Sequence, residues 1–126
     1  MAEILIAEDD EAMLNFLSIA LGRAGHDVTC KTNGTEALAI VKSGKHFDLL
    51  LTDVVMPGID GVELANKASD LLPDLKIMFI TGFAAIAMKK ASPDQIEDNM
   101  ITKPFHLNDL VTQIETLLKT KTAQPV

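Results

Sequence analysis

The sequence predicts a doubly wound α/β fold, in which helices cover both faces of a five-stranded parallel sheet. Two patterns predict it: β-rich segments alternate with helix-period segments along the chain, and several β-rich segments are apolar throughout. Continuously apolar strands are typical of a parallel sheet, because its crossover helices bury both faces. A chain of 126 residues that is 48% apolar can build one such domain.

The first half of the chain predicts three strands and two helices. Short β-rich runs mark the strands, and apolar residues recurring every three or four positions mark the helices. Gly25 ends the first helix, and Asn33-Gly34 predicts a turn before the second. In chain order the predicted elements are the strand 3–7, a helix from about Asp10 to Ala24, the strand 26–31, the helix 35–43 and the strand 47–52.

The second half continues the alternation. Pro73 stands just past the third helix, and the last helix carries a regular apolar face. The predicted elements are a helix from about Asp60 to Leu72, the strand 75–81, a weakly patterned Ala-rich helix over 84–92, the strand 99–102 and the helix 107–118. We therefore predict a single domain over residues 1–119, with a polar, frayed tail over 120–126.

Composition excludes several classes of function. The net charge of −7 and the pI near 4.8 argue against direct binding to nucleic acid, which requires a basic surface. No apolar run approaches the roughly 18 residues that span a membrane. The single cysteine, Cys30, excludes an intrachain disulfide and is typical of packing in a reducing cytosol. We therefore expect a cytoplasmic protein that binds neither nucleic acid nor membrane.

The segment "FDLLLTDVVMPGIDG" sets a lone acid, Asp53, at the end of an apolar strand. In doubly wound folds, ligands bind at the carboxyl ends of the strands. The flavodoxin-like strand order 2-1-3-4-5 makes strands one and three neighbours, roughly 4.8 Å apart. Glu8 and Asp9, which follow strand one, should then converge on an exposed Asp53. Three carboxylates at such short distances repel one another, and they favour the binding of a hard cation such as Mg²⁺.

Two further strand ends carry polar side chains: Thr81 ends strand four, and Lys103 follows strand five. Taken one at a time, these two residues and Asp10, which follows the first acid pair, also have ordinary structural explanations. Thr81 taken alone is a turn hydroxyl, Lys103 is a solvated loop lysine, and Asp10 is a helix cap. Their joint placement at one edge of the sheet favours a functional site.

At these positions the sequence resembles the receiver domains of bacterial two-component response regulators. The resemblance covers essentially the whole chain through the motifs "ILIAEDD", "LLLTDVVMPGIDGVEL", "IMFITG" and "TKPF", in the family's order and spacing. It implies a phosphoacceptor that catalyses its own aspartyl phosphorylation and dephosphorylation, rather than an enzyme that turns over a substrate. It also implies that a histidine kinase or histidine phosphotransferase donates the phosphoryl group.

The resemblance assigns individual roles. Asp53 matches the phosphorylated aspartate, Glu8 and Asp9 match the acids that hold Mg²⁺, and the Val55 carbonyl completes the metal site. The residues that match the phosphoryl-binding and switch positions are Thr81, Gly82, Lys103 and Met100. Met100 departs from the family, which commonly has Tyr or Phe at that place.

The segments "AEDD", "LLTDVVMPGIDGVELA" and "KIMFITGFAA" resemble those of stand-alone receivers of the CpdR type. This implies an adaptor in cell-cycle control whose effector is the ClpXP protease or its substrates. We expect the effector to bind the surface formed by the predicted Ala-rich helix, strand five and the last helix. A phosphorelay shuttle, which passes its phosphoryl group to a His-containing protein, shares the whole site and stays open.

Two other kinds of site are disfavoured. A haloacid-dehalogenase-type phosphatase needs a second acid two residues after its nucleophile, where this chain has Val55. A zinc site is disfavoured because the three histidines and Cys30 lack ligand spacing.

Overall fold

Strands and helices alternate over residues 3–81, as the sequence predicts. The computed structural model describes residues 2–81, 100–102 and 105–119. In chain order the elements of these residues are β1 (Glu3–Ala7), α1 (Glu11–Arg23), β2 (Asp27–Lys31), α2 (Gly34–Lys42), β3 (Leu49–Asp53), α3 (Gly61–Leu71), β4 (Lys76–Thr81), β5 (Met100–Thr102) and α4 (Leu107–Lys119). The helix predicted over 84–92 and the tail 120–126 lie outside the described residues.

The five strands form one parallel sheet of order β2-β1-β3-β4-β5, which confirms the predicted fold class. Alternate residues of β3 enter different cores. Leu50 packs with the side chains of α2 and α3 on one face. Leu49 and Leu51 pack with those of α1 and α4 on the other. Because both faces are buried, β3 is apolar at three successive positions.

Three side chains cap helices where the chain leaves the sheet edge. The Asp10 carboxylate accepts hydrogen bonds from the amides of Ala12 and Met13, and the Asp60 carboxylate accepts one from Glu63. Asn33 accepts one from Glu36. The turn predicted at residues 33 and 34 is therefore a cap, because the Asn33 side chain replaces a missing backbone partner in the first turn of α2.

The described helices of the structure include none that is long and apolar enough to cross a membrane.

Candidate functional site

Three carboxylates meet at the carboxyl edge of the sheet. One oxygen from each of Glu8, Asp9 and Asp53 lies within 4.8 Å of the other two. The strand register causes this approach. Ala7 of β1 pairs with Thr52 of β3, so the acids that follow each of them stand side by side. The predicted convergence of the three acids is thus observed.

The burial of these acids differs from the sequence-based expectation. We expected an exposed Asp53, but its exposed fraction is 7%, and that of Glu8 is 1%. Only Asp9 of the three is exposed to solvent. The expectation for Asp53 was wrong because β3 continues one residue further than predicted and pairs Asp53 with Ile80 of β4. The start of α3 also packs against the Asp53 backbone.

Backbone amides hold both buried carboxylates. The amide of Asp10 donates a hydrogen bond of 3.1 Å to Oε2 of Glu8, and the amide of Val55 donates one of 3.3 Å to Oδ1 of Asp53. The Glu8 amide donates to the carbonyl of Lys31, which anchors its main chain on β2. These bonds offset part of the cost of burying two charges, and they aim both carboxylates at the same point.

The backbone that carries Asp53 is held from two sides. The Thr52 hydroxyl donates a hydrogen bond of 2.8 Å to the carbonyl oxygen of Asp53. The Gly61 amide donates one of 2.8 Å to the carbonyl of Val54. A side chain at Gly61 would overlap the Asp53 carbonyl oxygen, so only glycine fits there. We call Thr52, Asp53, Val54 and Gly61 the backbone clamp.

Sequence reasoning missed the backbone clamp. The sequence pattern marks Thr52 only as the last residue of the predicted strand 47–52 and assigns no individual role to Gly61. One signal was available for Gly61. It follows the capping residue Asp60 directly, and glycine in the first turn of a helix needs a reason such as close backbone approach.

The remaining predicted site residues are only partly described. Val55 is 43% exposed and lies in the loop directly after Asp53. Met100 begins β5, pairs with Phe79 and packs, half-buried, against the core on the α2 and α3 face. Thr81 ends β4, and its side chain lies outside the described residues, as do Gly82 and Lys103.

Sequence comparison places this arrangement among known proteins. Residues 4–115 match the sequence profile of the response regulator receiver domain. The response regulator receiver protein CpdR of Brucella abortus (strain 2308) is 51% identical over 118 residues, which cover 94% of this chain and 98% of that protein. The similarity therefore spans both chains almost completely.

Solved structures agree with the sequence comparison. A CheY-like receiver domain protein from Methanospirillum hungatei JF-1 superposes with a TM-score of 0.85 at 32% identity, and the match covers 94% of each chain. The response regulator TrrA of Thermotoga maritima, solved in complex with Mg²⁺–BeF, has a TM-score of 0.81 at 27% identity. That match covers 93% of this chain and 99% of TrrA. The shared profile, sheet order and acidic edge have one explanation: this chain belongs to the family of response regulator receiver domains.

Proposed function

We propose that this chain is a single-domain response regulator that accepts a phosphoryl group on Asp53. One observation carries the proposal: Asp53 ends the central strand beside Glu8 and Asp9, where three carboxylate oxygens converge. The donor would be the phosphohistidine of a histidine kinase or histidine phosphotransferase. A carboxylate oxygen of Asp53 attacks phosphorus, the bond between phosphorus and the imidazole nitrogen breaks, and an aspartyl phosphate forms. Hydrolysis of this acyl phosphate later returns the carboxylate.

The site fits a magnesium ion. Carboxylate oxygens are the ligands that Mg²⁺ prefers, at about 2.1 Å from the ion. One oxygen from each of the three acids lies within 4.8 Å of the other two, so the three carboxylates face one point at the sheet edge. Glu8, Asp9, Asp53 and the Val55 carbonyl would hold the ion, which supplies positive charge that offsets charge on the phosphoryl oxygens.

The chain's own residues orient the reacting group. The Val55 amide holds Oδ1 of Asp53, so the carboxylate is restrained before the donor arrives. Burial of Asp53 limits the access of water and strengthens electrostatic interactions around it. We assign phosphoryl binding to Thr81, Gly82 and Lys103, on the family resemblance of their positions. Thr81 and Met100 are the proposed switch pair.

We further propose that the phosphorylation state controls a protein-binding surface that includes β5 and α4. The similarity to CpdR over nearly the full length of both chains supports a stand-alone adaptor of that type. The CpdR resemblance implies that the effector is the ClpXP protease or its substrates, in cell-cycle control.

Intact-mass measurement after incubation with acetyl phosphate and Mg²⁺ tests the phosphoacceptor. Wild type and the control Asp70→Asn, which removes an exposed acid on α3, should each gain one hydroxylamine-labile phosphoryl group. The Asp53→Asn variant should gain none. Equal labelling of Asp53→Asn would overturn the assignment.

State-dependent capture tests the effector. Wild type, Asp53→Ala and beryllofluoride-loaded protein should differ in how much ClpXP they retain from a lysate. If retention is equal in all states and phosphorylated Asp53 transfers its group to a His-containing domain, the protein is instead a phosphorelay shuttle.

A further inference from the structure

The hydroxyl of Thr52 is directed at the backbone of the next residue. Thr52 is 1% exposed, and its Oγ1 donates a hydrogen bond of 2.8 Å to the carbonyl oxygen of Asp53. A weaker contact of 3.9 Å joins the same hydroxyl to Sδ of Met56. A buried hydroxyl without a partner is costly, so this bond is part of the folded structure rather than an incidental contact.

The bond forms half of the backbone clamp. The Asp53 carbonyl oxygen accepts the hydrogen bond from the Thr52 hydroxyl and also lies where a Cβ on Gly61 would overlap it. The next carbonyl, that of Val54, accepts the Gly61 amide at 2.8 Å. Two successive peptide groups are therefore restrained by contacts that use no atom of the acidic side chains.

These restraints affect the position of the acidic side chains because the restrained peptide groups are directly bonded to Asp53 and Val55. The Val55 amide follows directly after the restrained Val54 carbonyl, and this amide donates to Oδ1 of Asp53 at 3.3 Å. A rotation of the Asp53–Val54 peptide would turn both the Asp53 side chain and the Val55 segment away from Glu8 and Asp9. Such a shift of about 1 Å is enough to impair a site that depends on placement.

We propose that Thr52 is a positioning residue for phosphoryl transfer, because its hydroxyl sets the orientation of the Asp53–Val54 peptide. The proposal rests on the proposed function, in which Asp53 accepts the phosphoryl group and the Val55 carbonyl binds Mg²⁺. The hydroxyl would not itself bind the metal or the phosphoryl group, because its hydrogen bond goes to the Asp53 carbonyl oxygen. It acts through the backbone, so its effect should appear first in metal affinity.

A set of substitutions separates the hydroxyl from the rest of the side chain. Thr52→Val keeps the shape and removes the donor, whereas Thr52→Ser keeps the donor and removes a methyl group. Thr52→Ala lacks both, so comparing Thr52→Ser with Thr52→Ala isolates the hydroxyl again if Thr52→Val folds poorly. Chemical denaturation measures the stability of each variant.

Metal affinity is the deciding measurement. The chain has no Trp or Tyr, so Mg²⁺ binding is best measured by titration calorimetry and by the NMR shift of the Val55 amide. Thr52→Val should raise the Kd for Mg²⁺ about 3- to 10-fold, the size of one neutral hydrogen bond, and Thr52→Ser should stay within about twofold. Acetyl phosphate labelling of Thr52→Val should slow by the same factor at low Mg²⁺ and recover as Mg²⁺ saturates.

The outcomes distinguish the two proposals. An unchanged Mg²⁺ Kd in folded Thr52→Val, or equal impairment of Thr52→Ser and Thr52→Val, overturns the positioning role and leaves the proposed function standing. A purely structural role would lower stability without changing the Kd of the folded protein. If the wild type itself neither binds Mg²⁺ nor becomes labelled, the proposed function and this inference both fail.

Discussion

The Cα of Gly61, at the start of α3, packs against the carbonyl oxygen of Asp53, at the end of β3. A Cβ at this position would overlap that oxygen and also lie 2.9 Å from the Asp53 carbonyl carbon. Since both neighbours are backbone atoms, no side-chain rotation can relieve the contact. The residue that begins α3 and the predicted phosphoacceptor are therefore coupled through main-chain packing.

We predict that Gly61→Ala destabilises the protein and impairs the site. Overpacking of this kind costs about 1–3 kcal/mol, and relief requires that the Asp53 backbone moves. Denaturant unfolding should show the loss of stability, and acetyl phosphate labelling should slow.

The matched control for this substitution is Gly22→Ala in α1, where the added Cβ has no heavy atom within 4 Å apart from its chain neighbours and the adjacent backbone of its own helix. It should raise stability by about 0.5–1 kcal/mol, because alanine is the better helix former. A Gly61→Ala protein as stable and as readily labelled as the wild type would contradict the coupling.

The three acids should repel one another in the absence of metal. We predict that Asp53→Ala in EDTA is more stable than wild type by about 1–3 kcal/mol, the Coulomb repulsion of such carboxylates at intermediate dielectric. Adding Mg²⁺ should raise the Tm of the wild type by mass action and that of the variant less.

Asp70→Ala is the control for net charge, since it removes one exposed acid from α3 without touching the acidic cluster. It should change stability in EDTA by no more than about 0.5 kcal/mol. Equal Mg²⁺ stabilisation of wild type and Asp53→Ala would show that Asp53 is not part of a metal site.

Asp48 should make stability depend on pH in the acidic range. Its pKa is lowered, chiefly because Oδ2 accepts a hydrogen bond of 2.9 Å from the Glu3 amide, with a further contribution from His46 at 3.0 Å. The folded pKa therefore lies below the unfolded value of about 3.9. Its stabilising contribution is complete above the unfolded pKa and is lost as pH falls through the folded pKa.

We predict that Asp48→Asn is less stable than wild type at pH 7 and that the difference shrinks below about pH 4. The Asp48 side chain is 42% exposed, so solvent screening keeps the effect at a few tenths of a kcal/mol to about 1 kcal/mol. Urea unfolding at a series of pH values measures it. Parallel stability curves for wild type and Asp48→Asn from pH 7 to pH 2.5 would exclude the contribution, and Asp70→Asn again controls for charge.

Met100 is the proposed partner of Thr81 in switching. Its side chain is half-buried against the core that contains Phe79, and an unbranched thioether adapts to more than one packing arrangement at little cost. We predict that the unphosphorylated protein already samples the active surface. Met100→Tyr should increase the free-energy difference between the inactive and active states. A ring that is buried in only one of the two states adds about 1–2 kcal/mol to this difference.

Relaxation-dispersion NMR on β5 and on residues 84–92, with and without beryllofluoride, measures this exchange. Met100→Leu is the control, since it keeps an apolar side chain without a ring. If the wild type shows no exchange and Met100→Tyr responds to beryllofluoride as the wild type does, Met100 is only a core residue without a switching role.

Local patterns predicted the order of elements because each depends on neighbours in the chain. The apolar run 49–51 marks a strand that is buried on both faces, and Asp60 marks a helix start. The convergence of Glu8 and Asp53 was also predictable. It needs only the strand order and the rule that parallel strands end at one edge.

The sequence by itself therefore determined the fold class, the receiver family and the acids that meet at the sheet edge. Only the tertiary structure decided that Asp53 is buried and that Thr52 and Gly61 hold its backbone. The physical reason is distance along the chain. Helix caps and strand patterns act over a few residues, whereas the contact between Gly61 and Asp53 exists only after a seven-residue connection has folded back and the start of α3 has packed against β3.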